Sequence, residues 1–390
     1  MNPLHITPSW ETAPPERWKA WQLRQLKRYL KTRVLPFGAH HRRVATEAGF
    51  HPDDLRSLED WSAFPLSSKT DLTVPAEKLR EFVLQPDAAK LKFEPRTIAH
   101  TLLHGPSSAR EMLEKEFRPV LLTSTTGRSS DPVPFVFTGH DLANLDLAGR
   151  RLMECGRSQK DFRHLNCFPY APHLAFWQTH HASLAFGTFM VSTGGGKTMG
   201  TDGNLRLLGK IQPDIIIGMP TFIYHLLHEA ADRGMSVPNL KRIVLGGEKT
   251  AQGLRAKLRD LARQLGGEAH VLSTYGFTEA KMAFPECTGP TAIIPTGFHI
   301  SPDLALIEII DPKTGMLVPD GTPGEIVFTP LDSRGTVVLR YRTGDLAEGG
   351  MTWERCPHCG RTCPRIIGPI SRVSEVRSLA LDKVKGTLVN

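Results

Sequence analysis

Arg242-Ile-Val-Leu-Gly-Gly-Glu248 and, one amphipathic segment later, His270-Val-Leu-Ser-Thr-Tyr-Gly-Phe-Thr-Glu279 share one plan: a short apolar run that stops at glycine and a carboxylate. Such a run, bounded by turn residues, reads as a buried strand, and Gln252 to Gln264 between the two reads as a helix. Pro213-Asp-Ile-Ile-Ile-Gly218, followed by the helix-length Thr221 to Arg233, repeats the plan upstream, and Val120 to Ser124 opens it. Strands that alternate with helices predict an α/β fold. In such folds the segments after the strands carry function, so the glycines and polar residues there are the candidate site.

Outward from this core, residues 1–110 read as a helical outer layer with Pro15 to Thr32, Arg42 to Ala48 and the polar stretch Phe64-Pro-Leu-Ser-Ser-Lys-Thr-Asp-Leu72. Residues 111–294 form the expected α/β core. Residues 295–367 read as a smaller β-rich subdomain, from Ala305-Leu-Ile-Glu-Ile-Ile310, Gly324-Glu-Ile-Val-Phe-Thr329 and Thr336-Val-Val-Leu-Arg-Tyr341. There is no internal repeat and no low-complexity tract.

The 390 residues are 40% hydrophobic and 23% charged, ordinary for a soluble globular protein of two or three subdomains. No apolar run approaches roughly 18 residues. Met1 to Lys19 lacks the profile of a signal peptide, so the expectation is a cytoplasmic protein with no membrane partner. The net charge of +8 is scattered, without interleaved aromatics, which argues against nucleic acid. A nucleotide, a CoA-like thiol or an acidic carrier protein fits it equally. Six cysteines without a signal argue against a disulfide scaffold.

Leu122-Thr-Ser-Thr-Thr-Gly-Arg128 puts the hydroxyls of Ser124, Thr125 and Thr126, then Gly127, directly after a strand, where hydroxyls and free N–H groups wrap phosphate oxygens. The alternative is a solvated Ser/Thr loop. Gly194-Gly-Gly-Lys-Thr198 looks like the end of a P-loop, but Val191 stands where that pattern needs glycine; a mobile loop is expected instead. Gly247 and Gly276 allow close approach, Tyr275 offers a ring for stacking, Thr278 a hydroxyl for a phosphate, and Glu279 a carboxylate for magnesium. For Glu248 and Glu279 the plain alternative is a surface charge. Asp345, in Tyr341-Arg-Thr-Gly-Asp345, suits two ribose hydroxyls or, equally, a hairpin turn.

Taken in order, the Ser/Thr-rich loop, Gly-Gly-Glu, Tyr-Gly-x-Thr-Glu, Tyr-Arg-Thr-Gly-Asp and Pro-Arg-Ile resemble the adenylate-forming superfamily of acyl-CoA synthetases, adenylation domains and luciferases. Pro36-Phe37, Pro65-Leu-Ser-Ser-Lys-Thr-Asp-Leu72 and Cys359-Gly-Arg-Thr-Cys-Pro-Arg-Ile366 are most similar to the phenylacetate-CoA ligase group, over about Leu35 to Ile367. The resemblance implies a large N-terminal domain (1–367) of mixed sheets flanked by helices, then a hinge and the start of a C-terminal domain (368–390). It implies that Ser124, Thr125, Thr126, Gly127 and Arg128 hold the ATP phosphates, that Gly247, Glu248, Tyr275 and Gly276 line the adenine, and that Asp345 holds the ribose. Thr278 at the α-phosphate, Glu279 at magnesium and Arg365 near the ribose or phosphates are the implied catalytic residues. The acid is expected toward Phe168, Tyr170, His173, Trp177, Met219, Pro220 and Phe222.

The implied activity joins a carboxylic acid, aryl or medium apolar, to ATP as acyl-AMP with loss of pyrophosphate, then passes the acyl group to CoA. Transfer to a carrier-protein thiol or an amine is one alternative; a non-catalytic acyl-AMP or nucleotide-binding module is another. The expected partners are the small acid, an acyl carrier protein in the first alternative, and a second copy in a homodimer. No Ser-His-Asp signature is present, and His180-His181 reads as packing.

The family usually carries Gly at Ser124, Lys at Arg128 and Gly-Arg at Gly368-Pro369, and its phosphate loop reaches Pro132 one residue sooner. It also continues for roughly a hundred residues into a mobile domain with a catalytic lysine. Lys383 and Lys385 come too early for that role, so the expectation is a shortened form or a natural variant with impaired full turnover.

Cys356-Pro-His-Cys359 has the spacing that lets two thiolates share a tetrahedral ion. The resemblance implies that Cys287 and His299 complete a structural zinc set, with Cys363 or His358 as substitutes and free thiols as the alternative. Cys155 and Cys167 read as core residues.

Overall fold

The structure, a computed structural model, describes residues 7–126, 131–289 and 295–373. Helices α1 (Pro15–Tyr29), α2 (Ala39–Glu47) and α3 (Pro95–Phe117) precede the strands β1 (Pro119–Ser124) and β2 (Pro134–Thr138). Helix α4 (Gly139–Cys155) leads to β3 (Arg163–Asn166), α5 (Leu174–Phe186), β4 (Phe189–Ser192), α6 (Gly195–Ile211) and β5 (Ile215–Gly218). Next come α7 (Pro220–Asp232), β6 (Arg242–Leu245), α8 (Gln252–Gln264), β7 (His270–Phe277) and β8 (Met282–Pro285). Strands β9 (Phe298–His299), β10 (Ala305–Ile310), β11 (Gly324–Pro330), β12 (Tyr341–Ala347), β13 (Met351–Thr352), β14 (Arg365–Ile366) and β15 (Ile370–Arg372) follow. The described residues of Met1–Asn144, Ser301–Trp353 and Thr362–Asn390 form one compact unit; Leu145–Ile300 and Glu354–Arg361 form a second.

The second unit is built on a six-stranded sheet in the order β4-β3-β5-β6-β7-β8, parallel except for β8. Ile215, Ile216 and Ile217 are buried on both faces of β5, as a parallel strand covered by helices requires. The covering helices carry apolar stripes at helical spacing: Ile223, Leu226, Leu227 and Ala230 on α7, and Leu258, Leu261 and Ala262 on α8. They close over Leu165, Ile216 and Ile243 in one core.

In the first unit, β10, β11, β12 and β15 form an antiparallel sheet and β1 pairs with β2. Helix α1 opens on Pro15 and Glu16, both suited to a helix start, and buries Trp18, Gln22, Leu26 and Tyr29 along one face. It runs on as a π turn over Leu30–Val34, just before Pro36, which has no N–H to continue the ladder. Leu26, Tyr29, Trp61 and Phe64 share a core with Leu306, Leu331, Val337 and Leu339.

Three local expectations are corrected. Thr336 to Leu339 is not a strand, although Val337, Val338 and Leu339 are fully buried. Its backbone bonds go to distant elements instead: Thr336 N to Val136 O of β2 (3.0 Å) and Val337 N to Phe82 O at the end of a 3₁₀ turn (2.9 Å). The strand begins at Tyr341, so Tyr341-Arg-Thr-Gly-Asp345 lies inside β12 rather than after a strand. Tyr275 to Phe277 likewise lies inside β7, because pairing with β8 prolongs the strand beyond Thr274. Gly195-Gly-Lys-Thr198 is the first turn of α6, not a loop; Asn204 Nδ2 holds the turn by donating to Gly195 O (3.2 Å) and Gly200 O (2.7 Å).

His41 is buried against the Val337 carbonyl, 3.0 Å from Nε2. Burial, with His40 beside it, holds its pKa down to about 3. In the unfolded chain the ring takes a proton below about 6.5, so its contribution to stability is complete above that pH and is lost as pH falls toward about 3. His41→Gln is expected to flatten the loss of unfolding free energy between pH 7 and pH 4.5 by about 2.5 kcal/mol, read by urea titration at the two pH values. An unchanged slope would show that His41 does not titrate in this window.

Candidate functional site

Within the sheet unit, β3 and β5 are neighbours, and the chain leaves β3 toward β4 but leaves β5 toward β6, in the opposite direction. This is a topological switch point, where α/β sheets form a crevice at the carboxyl ends of the strands. Phe168 follows β3, its N–H donating to Asn166 Oδ1 (3.0 Å). Its ring is buried with Phe162, Ile215 and Ile217, and Phe176, Met219 and Val244 pack against that cluster. Gly246 makes room for it: a Cβ there would sit 3.3 Å from Phe168 Cζ and 2.7 Å from Thr274 Oγ1. Cys167 is a packing residue, since burial pushes its thiol up to about 12.

Of the expected acid-pocket residues, the structure thus joins Phe168 with Met219. Tyr170 is half exposed; its hydroxyl donates to Ser192 O (2.5 Å) and its ring lies against Gly194. Phe222 lies against Gly196, where a Cβ would meet the ring at 2.9 Å. His173 is the N-cap residue of α5 and Pro220 begins α7. Trp177 packs with Phe176 (5.3 Å between ring centres) and His180 (6.3 Å), and its buried indole N–H has no acceptor among the described residues.

Glu248 accepts from Thr221 N (3.2 Å) and Thr221 Oγ1 (2.5 Å), which ties the loop after β6 to the start of α7. Thr221 falls within the Met219 to Phe222 stretch expected near the acid, but its bond to Glu248 has no signal in the local sequence. Tyr275 is buried against Phe277, Phe284 and Phe298, with ring centres 5.5 to 6.3 Å apart. Gly276 stands opposite Ala283, where a Cβ would come within 2.8 Å of Ala283 Cβ. Thr278 and Glu279 occupy the 3₁₀ turn between β7 and β8 and are half-buried.

The first unit holds the remaining candidates. Ser124 ends β1, and Thr125 closes the loop with N to Val133 O (3.1 Å) and Val133 N to Thr125 Oγ1 (3.0 Å). Thr126 is exposed, while Gly127 and Arg128 lie outside the described residues. Asp345 pairs with Arg372, Oδ1 to Nε at 3.0 Å, across the β12–β15 register. Arg365 is buried in β14 opposite Thr352.

Cys287, His299, Cys356 and Cys359 come together with their four donor atoms all within 4.8 Å of one another. Cys287 Sγ is 3.6 Å from Cys356 Sγ, and Cys359 Sγ is 3.3 Å from His299 Nε2. His299 Nδ1 lies 3.2 Å from Pro285 O, which fixes that nitrogen as the donor and leaves Nε2 for a metal. Hydrogen bonds from Cys287 hold the Cys356 and Cys359 thiols below the usual range, toward the thiolate a metal needs. Cys363 and His358 stay outside this group. One residue before Cys287, the buried Glu286 accepts from both Arg255 terminal nitrogens (2.8 and 2.9 Å) and from Ser273 N (2.7 Å).

Residues 140–330 match the AMP-binding enzyme family. The chain is 30% identical over 370 residues to the phenylacetate-coenzyme A ligase of Thermus thermophilus, covering 93% of this chain and 72% of that protein. It is 28% identical over 345 residues to the phenylacetate-coenzyme A ligase of Pseudomonas putida, covering 86% and 67%. Among solved structures it resembles an open conformation of 2-hydroxyisobutyryl-CoA ligase in complex with 2-HIB-AMP and CoA, with a TM-score of 0.73, 20% identity and coverage of 95% and 81%. The mixed α/β fold is therefore that of the adenylate-forming acyl-CoA ligases. Within that class, the chain belongs to the phenylacetate-coenzyme A ligase family.

Replacing Glu286 by alanine leaves Arg255 buried without its carboxylate. That is expected to destabilise the sheet unit by about 3–5 kcal/mol, measured by chemical denaturation. A change below about 1 kcal/mol would mean the pair is solvated and does not anchor the segment.

Proposed function

We propose that this chain is an AMP-forming acid–thiol ligase. What supports the reading is the carboxyl end of the parallel sheet, where Phe168 and Met219 share a buried apolar cluster after neighbouring strands and the Gly246–Glu248 and Tyr275–Glu279 segments end β6 and β7. An acid whose tail is aryl or medium apolar suits that cluster. Its carboxylate oxygen attacks the α-phosphorus of ATP, an O–P bond forms as the bond to pyrophosphate breaks, and acyl-AMP results. A thiol then attacks the acyl carbon and AMP departs. Neither step needs a protein nucleophile; both need aligned reactants and stabilised charge.

The proposed roles follow the order of the motifs along the chain. Tyr275 and Gly276 border the base, Thr278 donates to the α-phosphate, and Asp345 takes the ribose hydroxyls after giving up Arg372. Ser124, Thr125 and Thr126 border the β- and γ-phosphates, and Arg365 adds positive charge. Glu279 would hold magnesium, which when bound neutralises phosphate charge. Coenzyme A is the proposed acceptor, in line with the CoA ligases that share the family.

The Cys287, His299, Cys356 and Cys359 set fits a structural zinc ion: three thiols, one oriented imidazole and a closed donor count. Such a set, with the free cysteines elsewhere, suits a reducing cytoplasm. Among the described residues no helix is long and apolar enough to cross a membrane.

Two measurements test these assignments. ATP–pyrophosphate exchange with magnesium and a panel of aryl and aliphatic acids is expected to respond to an apolar acid. A chain that binds ATP yet exchanges with no acid would instead be a nucleotide-binding module. Elemental analysis of the purified chain is expected to give about one zinc per chain, lost in Cys356→Ser; full retention in that variant would remove Cys356 from the set.

A further inference from the structure

The buried face of α5 carries three polar side chains, Gln178, Thr179 and Ser183, beside Leu174 and Ala182. Two of them bond locally: Thr179 Oγ1 donates to Ala175 O (2.9 Å), and Ser183 Oγ to Thr188 O (3.0 Å). Gln178 reaches out of its helix in two directions. Its Nε2 donates to Leu145 O of α4 (3.4 Å), and its Oε1 accepts from Ala283 N of β8 (3.0 Å), with the residue only 3% exposed. Methionine or leucine would fill the same volume. A buried amide instead demands partners at fixed places.

What it holds is the candidate nucleotide hairpin. Ala283 stands opposite Gly276 in the β7–β8 register, and β8 is the outermost strand, so the N–H that Gln178 takes has no further strand to receive it. The helices at the other end of the link cannot slide, since Gly149 of α4 is packed so tightly that a Cβ there would sit 2.6 Å from Ala182 Cα. Ahead of Gln178 on α5, Ala175 and Phe176 pack against the Phe168 cluster. One side chain therefore sets the hairpin bearing Tyr275, Thr278 and Glu279 against the helix that borders the acid.

We infer that Gln178 is a positioning residue for adenylation, acting through Ala283 to hold the nucleotide hairpin in register with the acid-side helix. The inference rests on the AMP-forming reading above. It touches no reacting atom, and its effect belongs to the ATP side, because α5 keeps its packing on α4 without the amide.

The test compares Gln178→Met, which keeps the volume and loses both bonds, with Gln178→Glu, which keeps the acceptor for Ala283 N–H. In ATP–pyrophosphate exchange on the full chain, the Met variant is expected to raise KM for ATP on the order of tenfold with KM for the acid unchanged. The Glu variant is expected to restore KM for ATP to within about threefold of wild type. A Met variant with wild-type KM for ATP, a Glu variant as impaired as Met, or a parallel rise of both KM values would each overturn the role. Hydrogen exchange of the amides of residues 275–285 reads the same link without turnover, and faster exchange confined to that segment in the Met variant is expected. If wild type exchanges no pyrophosphate with any acid, the ligase reading falls; unchanged amide protection in the Met variant then sinks the hairpin link on its own.

Discussion

Three elements of the sheet unit meet at one carboxylate. Glu286 draws in Arg255 from the first turn of α8, the backbone N–H of Ser273 from β7, and, through the peptide that follows it, the thiol of Cys287. A charge buried to this depth is tolerable only where its partners stand still, so the pair dictates where the helix, the strand and the cysteine segment lie relative to one another. Everything that β7 carries past Ser273, from Tyr275 to Glu279, inherits its position from that point. The His299 imidazole is fixed by the carbonyl of Pro285, the residue just before Glu286, so the four-donor cluster is anchored on the same stretch of chain.

The sequence made the parallel core plain because its strands are extreme. Ile215 to Ile217 have no polar face to confuse the period, and α7 and α8 show apolar stripes at clean helical spacing. It misled where burial and regular pairing part company. Val337, Val338 and Leu339 look like a strand because they are apolar and two of them β-branched, yet Val337 donates its N–H to Phe82 O and Leu339 O accepts from Ser67 Oγ, partners far away in the chain. The same limit explains why the ends of β7 and β12 differ from expectation: a glycine inside a strand, Gly276 or Gly344, reads as a turn until the opposing strand is known.

The candidate site was legible as residue types and only partly as contacts. Motif order pointed to the loops after β6 and β7, and thiol spacing pointed to Cys356 and Cys359. No local pattern announces that Glu248 would lie on Thr221, that Asp345 would face Arg372, or that Gln178 would span from α4 to β8, because each partner is distant in sequence. Glycine gave the strongest hidden signal. At Gly149, Gly246 and Gly276 what matters is the missing side chain, which lets a helix, a ring and a strand approach to distances a methyl group would forbid.

The outer position of β8 has a further consequence. A sheet whose last strand offers a free row of amide and carbonyl groups invites another chain to add itself there, and many proteins guard such margins with charge, proline or distortion. Here the margin is guarded from within: at Ala283 the outward amide is already occupied by a side chain from the covering helix. At that point the sheet margin is closed by a hydrogen bond rather than by repulsion, so an added strand would find this amide already taken.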